Sequence, residues 1–540
     1  MEKDKKLVTS RFNLLFIFLI SLSLNLYVHF GELFSSFVVF KDMSNLYILD
    51  RLRDNTLFRN DLWGEWLMDG IIYTAPGFYL VSSFLVKLMP VEYSFKISSI
   101  ILNLAAVYLL FRIGKRLKGE RLGAMVGIFF CILSLSMDTF FGGGARMYGF
   151  VLFCLFLCLL INKKIFFASL AAAASLFFYP YVFPYTALSC YLYIVFSKDY
   201  LRKEKIKKTI IITALFSACA AFLCQGLLII TEKYGGFLTY SEIRNLSEAG
   251  KEGSYPYNIM NSNYILNNIF NIYEHNEIYA RLLLFLAIGI IFLFFYSKTS
   301  GLRMIKDLLV PFVSSVITFI IFSAVYILFG YNFGIPSRQL IFSMPVFLVI
   351  LFSVNLYLFC EKFRINVLPV IIAAAIVFTL GFESNTENLM KYGGMFDFFK
   401  KTDNNSLIAG HPLGTEHIPL FSKRKVFIMP RVARPFNCLF WGESKKRLFH
   451  LFDAYYSDSL DSARALCSEY HIDYFVIDKE YYRNDYLNEK RLYFEPFDSS
   501  IKEKSQKRDF ALLKFAENNH EFNFGDVFVI SCKKLNKEER

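Results

Sequence analysis

Long apolar runs, such as RFNLLFIFLISLSLNLYVHF at residues 11–30, recur along the first 382 residues of the chain. A helix that crosses the hydrocarbon core of a bilayer needs roughly 20 predominantly apolar residues. Over its 540 residues the chain is 55% hydrophobic and only 19% charged, and its mean hydropathy of +0.40 lies above that of ordinary soluble domains. These properties indicate an integral membrane protein.

The apolar runs predict an α-helical polytopic membrane protein with about eleven transmembrane helices. The predicted spans are 12–30, 95–112, 122–140, 147–162, 165–179, 181–197, 208–230, 279–297, 306–330, 338–359 and 365–382. The first run follows basic residues, as a signal peptide does, but it lacks a small-x-small cleavage site. This favours an uncleaved membrane anchor.

The basic residues occur in short clusters between these runs and predict the orientation of the protein. A net charge of +13 that is divided among such clusters favours membrane topology over nucleic-acid binding. If the N-terminus is cytoplasmic, the clusters from 112–121 to 362–364 all face the cytoplasm, as the positive-inside rule requires. We therefore expect a multi-pass protein of the inner (cytoplasmic) membrane whose C-terminal region is extracytoplasmic.

This orientation holds only if a further apolar stretch, IIYTAPGFYLVSSFLVKLMP at 71–90, does not cross the membrane. We interpret it as an interfacial helix on the outer leaflet, within a long exterior first loop at 31–94. The alternative is a true span, which would place the cluster at 112–121 outside.

Residues 1–382 are thus predicted to form a polytopic transmembrane domain, and residues 383–540 an extracytoplasmic soluble α/β domain. NSLIAGHP, DSARALCSEYHI, DYFVID and DVFVISC have the patterns of strands and a helix. No CxxC or Cys/His ligand spacing occurs, which argues against a structural zinc site. In the C-terminal region Cys438, Cys467 and Cys532 could pair, and spacing does not choose among the pairings.

Two carboxylates lie where chemistry at the outer membrane surface would need them. Asp42 follows the first helix, and Asp138 ends the third predicted span. A partly dry carboxylate there can act as a general base toward a hydroxyl or hold a divalent cation. The alternative for Asp42 is a solvated helix cap. The other acids of the first loop are interpreted as solvated helix caps that can pair with neighbouring arginines: Asp50, Asp54 and Asp61, beside Arg51, Arg53 and Arg59.

Two arginines are candidates for binding a lipid phosphate at the same surface. In GGGARMYGF at 142–150, Gly143 and Gly144 allow close approach of the backbone, and Arg146 begins the next helix, where the helix dipole favours an anion. Arg338 lies at the outer start of a later helix, a depth at which an ionisable group is a functional candidate. The alternative for both arginines is a structural role, in which the side chain only extends along the apolar surface to place its charge at the membrane–water interface.

This arrangement resembles the polytopic glycosyltransferases of the GT-C superfamily, which use polyprenyl-phosphate-linked sugars. The resemblance is carried by a D-x-x-x-x-Y pattern at Asp42 to Tyr47, an LF-x-x-D-L pattern at Leu57 to Leu62, and a glycine turn ending at Arg146. It extends to the YTAPGFYLVSSFLVKL helix, the basic turn GKRLKGERLG and the exterior C-terminal domain, and it is greatest to uncharacterised bacterial members.

The resemblance implies inverting transfer of a hexosyl or pentosyl group from a polyprenyl phosphate to a glycan, lipid or protein acceptor on the extracytoplasmic side. Asp42 would be the base or metal-binding acid, Asp138 a second acid, and Arg146 and Arg338 phosphate ligands. A divalent cation such as Mg²⁺ or Mn²⁺ is an open expectation, because the family's acidic pair in this loop is replaced here by Asp42 between Lys41 and Met43.

Two further classes stay open at this point. A lipid or solute transporter or flippase would need ionisable residues near mid-membrane or broken helices in matching halves. A non-catalytic envelope assembly protein would use the C-terminal region to bind a partner.

Overall fold

The computed structural model of the chain describes residues 2–35, 37–40, 43–135, 142–196, 202–239, 242, 245–249, 300–329, 336–381, 386–430, 437–489, 491–507 and 509–537. Within these ranges the chain forms a bundle of apolar helices and, against one end of it, a mixed α/β region. The predicted span at 279–297 lies outside the described residues. So do the two candidate carboxylates, Asp42 and Asp138.

Helices account for most of the described chain up to residue 381. They are α1 (Glu2–Phe34), α2 (Leu62–Thr74), α3 (Pro76–Leu88), α4 (Val91–Lys118), α5 (Glu120–Leu135), α6 (Ala145–Ile161), α7 (Ile165–Phe178), α8 (Phe183–Phe196), α9 (Arg202–Tyr234), α10 (Ser300–Phe329), α11 (Ser343–Lys362) and α12 (Val367–Gly381). Apart from 279–297, the described part of each predicted span lies mostly on one of these helices.

The number of membrane spans is smaller when it is judged by helix length and composition. Five of the described helices are long and apolar enough to cross a membrane, and the bent pair α2–α3 would make a sixth. Four more apolar helices, among them α6 and α7, have only 10–17 residues. The expected count of eleven is therefore not confirmed, although the membrane class is clear.

The bundle has two distinguishable ends. At the first, the side chain of Lys96 in α4 donates a hydrogen bond to the carbonyl oxygen of Ser35 just after α1. At the second, Lys118 at the end of α4 forms an ion pair with Glu361 at the end of α11. We call these the domain end and the basic end, because the α/β region meets the first and the basic residues at 112–121 and 362–364 lie at the second.

The bend of 114° between α2 and α3 keeps α3 at the domain end. At its start, a Cβ on Gly77 would lie 2.7 Å from the ring of Phe178, the last residue of α7. After its end, Ser94 in the first turn of α4 donates hydrogen bonds to the carbonyl oxygens of Met89 and Pro90. Both ends of α3 are thus near the domain end.

The α/β region contains a five-stranded mixed sheet in the order β4-β3-β5-β7-β6. Strands β3 (Leu407–Gly410), β4 (Lys425–Val426) and β5 (Tyr474–Asp478) are parallel, whereas β6 (Phe522–Phe524) and β7 (Val527–Ser531) are antiparallel to their neighbours. Its helices are α13 (Gly393–Lys400), α14 (Pro412–Thr415), α15 (Ile418–Ser422), α16 (Cys438–Tyr455), α17 (Asp461–Tyr470), α18 (Asn484–Leu487), α19 (Phe497–Lys504), α20 (Ala511–Asn519) and α21 (Cys532–Leu535). A disulfide joins Cys467 to Cys532, one of the pairings left open by the sequence.

The first loop and the C-terminal region share one hydrophobic core. Strand β1 (Val38–Phe40) pairs antiparallel with β2 (Thr386–Asn388). Trp63 and Trp66 of α2 pack on Phe440 of α16, with ring centroids 5.9 and 5.0 Å apart, in a core that runs from Val39 to Leu535. A second core holds the membrane helices together. The first loop therefore packs as part of the α/β region.

Candidate functional site at the domain end

The glycine turn before α6 lies against the first turns of α4. The backbone N–H of Gly142 donates to the hydroxyl of Ser99 over 3.1 Å. A Cβ at Gly143 would lie 2.7 Å from the carbonyl oxygen of Phe95 and 2.8 Å from the Cβ of Ser98. Since no side chain fits this gap, the glycine at 143 is required for the turn to approach α4.

Arg146 lies in the first turn of α6 and is half-buried. Gly144 precedes the helix with extended backbone, its carbonyl oxygen accepts from Met147 N–H over 3.0 Å, and a Cβ there would meet open space. The backbone N–H groups at a helix N-terminus attract anions. Arg146 is thus a cation placed where the helix end also favours negative charge.

Arg338 lies in a short 3₁₀ helix, Pro336–Gln339, just before α11. Its guanidinium lies 4.7 Å from the ring centroid of Tyr181, a cation–π arrangement that orients the planar group. One turn further, Phe342 contacts Phe150 of α6 with ring centroids 5.3 Å apart. Since Phe150 follows Arg146 by one turn, both arginines lie at the domain end, joined through this aromatic contact.

Lys96 is a third cation at this end, and sequence analysis did not select it. Its side chain is 1% exposed, donates to the carbonyl oxygen of Ser35 over 3.3 Å, and lies 5.4 Å from the ring centroid of Tyr93. The available signal was a lysine inside the apolar run EYSFKISSIILNLAAVYLLF, since an ionisable residue in a membrane helix is costly and usually functional.

Asp42 and Asp138 lie outside the described residues, but their neighbours in the chain are described. Strand β1 ends at Phe40, and a 3₁₀ helix begins at Met43; α5 ends at Leu135, and the glycine turn begins at Gly142. Within the described ranges no group of three or more His, Cys, Asp and Glu side chains could hold a metal ion. The roles assigned to the two carboxylates stay predictions.

The other acids of the first loop have partners different from those expected. Asp50 forms an ion pair with Lys423 of the α/β region, and Asp54 accepts hydrogen bonds from Thr56. Arg51 pairs with Glu65 at 2.6 Å. The interpretation that these acids pair with neighbouring arginines was wrong for Asp50, because a residue far along the chain is closer in the fold.

Asp61 joins the two sequence patterns noted in the first loop. Its carboxylate accepts hydrogen bonds from the hydroxyl of Tyr47 and from the backbone N–H of Gly64, which makes it the N-cap of α2. Asp61 is 5% exposed and Tyr47 is completely buried. Burial raises the pKa of Asp61 to about 6, although both hydrogen bonds lower it.

This buried carboxyl predicts a pH dependence of stability. Its folded-state pKa of about 6 lies above the ordinary value of 3.8, so its contribution to stability is complete below pH 3.8 and is lost as pH rises through about 6. The loss corresponds to roughly 3 kcal/mol. Asp61→Asn keeps a capping oxygen but does not titrate. We expect the thermal midpoint of the wild type, relative to that of Asp61→Asn, to fall between pH 4 and pH 7; parallel profiles would contradict the assignment.

A neutral polar network lies among the membrane helices. Asn25 of α1 donates to the side-chain oxygen of Asn103 in α4 over 3.1 Å, and Asn103 donates to the hydroxyl of Ser134 in α5 over 2.7 Å. All three are buried. Hydrogen bonds of this kind stabilise helix packing in lipid, so we interpret the network as structural.

Comparisons with known proteins gave structural similarities alone. No family model matches the sequence, and no curated protein matches it. The apo oligosaccharyltransferase of Archaeoglobus fulgidus has a TM-score of 0.48 at 11% identity, covering 88% of this chain and 70% of that chain. Its complex with an inhibitory peptide and a dolichol-phosphate has a TM-score of 0.47 at 10% identity, covering 89% and 71%.

A mycobacterial protein, the arabinofuranosyltransferase AftD, has a TM-score of 0.45 at 11% identity, covering 86% of this chain and 35% of that chain. A further structure of the archaeal oligosaccharyltransferase contains Zn and sulfate. These neighbours are glycosyltransferases, the class that the sequence patterns resemble. Similarity at this level transfers no activity to the present chain.

Proposed function

We propose that the protein is a membrane glycosyltransferase that moves a sugar from a polyprenyl phosphate to an acceptor on the extracytoplasmic side. The observation that carries this proposal is the presence of Arg146, Arg338 and Lys96 at the domain end of the bundle. A lipid-linked donor has its phosphate at the membrane surface, and arginine is suited to bind it.

The orientation of the bundle is supported by two independent features. The ion pair of Lys118 with Glu361 lies at the basic end, opposite the α/β region, as the positive-inside rule expects for a cytoplasmic face. The disulfide between Cys467 and Cys532 lies in the α/β region, and disulfides persist in oxidising compartments. Both support an extracytoplasmic location for the domain end.

Helix α3 supplies a surface suited to the polyprenyl chain. Leu80, Phe84 and Leu88 are spaced four residues apart, so they share one face of the helix, and each is more than 60% exposed. The opposite face is buried, with Val86 completely covered. An apolar face beside the phosphate-binding end would contact both membrane lipids and the lipid part of the donor.

The proposed reaction assigns one role to each group. The acceptor oxygen forms a bond to the anomeric carbon while the bond from that carbon to the phosphate oxygen breaks, and the acceptor proton passes to Asp42. Negative charge grows on the departing phosphate, where Arg146 and Arg338 stabilise it. Asp138 is the second acid of the proposal. Asp42 would also be the ligand if a divalent cation takes part, and that cation would then stabilise phosphate charge.

The function can be tested with the purified protein in proteoliposomes. Polyprenyl phosphates that carry different hexoses or pentoses are supplied with glycan, lipid and peptide acceptors, and the release of polyprenyl phosphate and formation of glycosylated product are measured. A nucleotide sugar serves as the contrasting donor. We expect transfer from the lipid-linked donor and no transfer from the nucleotide sugar. Movement of the labelled lipid across the bilayer with no covalent product would instead indicate a transporter.

Replacing Arg338 tests the phosphate site. We expect Arg338→Met to lower kcat by about 10²–10³-fold, the usual effect of losing one donor that stabilises transition-state charge. Arg338→Lys should retain a kcat between those of Arg338→Met and the wild type, because lysine keeps the charge but lacks the planar pair of donors. The matched control is Arg112→Met, since Arg112 also lies over a tyrosine ring, that of Tyr108, but toward the basic end. Equal losses in the two methionine variants would rule out a specific role for Arg338.

A further inference from the structure

A ten-residue 3₁₀ helix, Met43–Leu52, follows the position of Asp42. Such helices rarely exceed one turn, and side chains three residues apart lie on the same face. Ser44, Tyr47 and Asp50 have this spacing and are 0%, 0% and 4% exposed. One face of this helix is therefore polar and buried.

Two side chains of the α/β region bind this polar face. The hydroxyl of Ser44 donates to Oε1 of Glu416 over 2.5 Å. The ammonium of Lys423 pairs with Asp50, lies 3.7 Å from Glu92 at the start of α4, and donates to the carbonyl oxygen of Leu420 over 2.7 Å. The 3₁₀ helix is thus attached at its first and last turns to the segment that contains α14 and α15.

These contacts are strong determinants of position because Ser44 and Asp50, their partners on the 3₁₀ helix, are buried. Asp50 lies where burial raises the pKa of its carboxyl, and Lys423 opposes that effect. A buried charge left without its partner is strongly destabilising, whereas replacing both partners by neutral groups costs much less. The position of the helix therefore depends on Lys423 as long as Asp50 is charged.

The chain before position 42 is held by the same region. Strand β1 pairs with β2, and the ring of Phe37 contacts those of Phe396 and Phe421, with centroids 5.6 and 5.4 Å apart. The described residues on both sides of position 42 are thus attached to the α/β region. Residues 37–40 are attached by strand pairing and ring contacts, and residues 43–52 by Glu416 and Lys423.

We propose that Glu416 and Lys423 are positioning residues, through which the α/β region sets the register of the first-loop 3₁₀ helix for catalysis. This inference rests on the proposed function, because that function assigns the role of catalytic base to Asp42 in this loop. The α/β region then acts as a part of the transferase site rather than as a separate module that binds a partner.

The test compares four full-length variants in detergent or proteoliposomes. Lys423→Met leaves Asp50 without its partner, and Lys423→Arg keeps the charge. Asp50→Asn with Lys423→Met removes both charges of that pair and retains the partly exposed Glu92, which lies 3.7 Å from Lys423. The matched control is Lys514→Met, which removes an exposed ion pair with Asp509 in the same region. Steady-state transfer gives kcat and KM, and hydrogen exchange followed by mass spectrometry reports on residues 43–52.

In Lys423→Met we expect kcat to fall by about 100-fold, as for a small misplacement of reacting groups, with the KM for the lipid-linked donor unchanged. Amides of residues 43–52 should exchange about 100-fold faster, while those of β5 and β7 keep their protection. Lys423→Arg and the double variant should recover most of both effects, and Lys514→Met should resemble the wild type.

Unchanged exchange at 43–52 in Lys423→Met, or equal losses in the single and double variants, would overturn the positioning role. A wild type that transfers no sugar, but whose exchange responds to Lys423 as described, would refute the proposed function while the attachment stands. An active wild type with a fully active Lys423→Met variant would refute the positioning role alone.

Discussion

Asp42→Asn is expected to insert and fold like the wild type and to lose sugar transfer by about 10²–10⁴-fold, the usual contribution of a general base. The amide cannot accept the proton that the acceptor hydroxyl must lose, whereas the shape of the side chain is almost unchanged. The measurement is single-turnover transfer at saturating donor, with donor binding measured separately.

The first loop offers a matched control for this variant. Asp54 is exposed, and its carboxylate accepts hydrogen bonds from the backbone N–H and the hydroxyl of Thr56. Asp54→Asn should therefore transfer sugar at the wild-type rate. Wild-type transfer by purified Asp42→Asn would remove Asp42 from the mechanism, and a comparable loss in Asp54→Asn would show that any change in this loop is harmful.

Removing the disulfide is expected to have the largest effect on stability. Cys467 and Cys532 are 65 residues apart, and closing a loop of that length stabilises a fold by roughly 4 kcal/mol through the entropy of the unfolded chain. The bond ties α17 to the end of β7. The Cys467→Ser/Cys532→Ser variant should unfold at a distinctly lower temperature, as measured by thermal unfolding in detergent under non-reducing conditions.

The control for this prediction is Cys438→Ser, because Cys438 is a free and exposed cysteine of the same region. Its thermal midpoint should match that of the wild type. Reducing agent should lower the midpoint of the wild type and leave that of the double variant unchanged. If reduction has no effect on the wild type, the bond does not form in the protein as purified.

Local patterns were sufficient for most of the secondary structure. The run predicted to span 165–179 is the helix Ile165–Phe178, DYFVID contains the strand Tyr474–Asp478, and DSARALCSEYHI contains the helix Asp461–Tyr470. Such elements follow from hydrophobic periodicity, which depends on neighbours in the chain. The glycine turn before Arg146 is different, because its glycines were expected to let the backbone approach a ligand, whereas Gly143 lies against Phe95 and Ser98 of α4.

Partner choice could not be predicted in the same way. Asp50 has arginines beside it in the sequence, yet its ion pair is with Lys423, 373 residues away. Asp61, interpreted as a solvated helix cap, does cap a helix but is buried and bound to Tyr47. Lys96, a single cation in an apolar run, was not selected from the sequence, yet it is buried and bound to the carbonyl oxygen of Ser35. In each case burial decided the outcome, and burial depends on which distant segments pack together.

Composition and periodicity were therefore sufficient for a polytopic membrane chain with a C-terminal region that contains a sheet, whereas the site at one membrane surface stays a prediction. Only the tertiary structure showed that the first loop packs inside the core of that region, with Ser44 and Asp50 held by Glu416 and Lys423. The physical reason is range: a helix or strand is specified by side chains a few residues apart, whereas a buried hydrogen bond or ion pair is selected by every segment that excludes water from it.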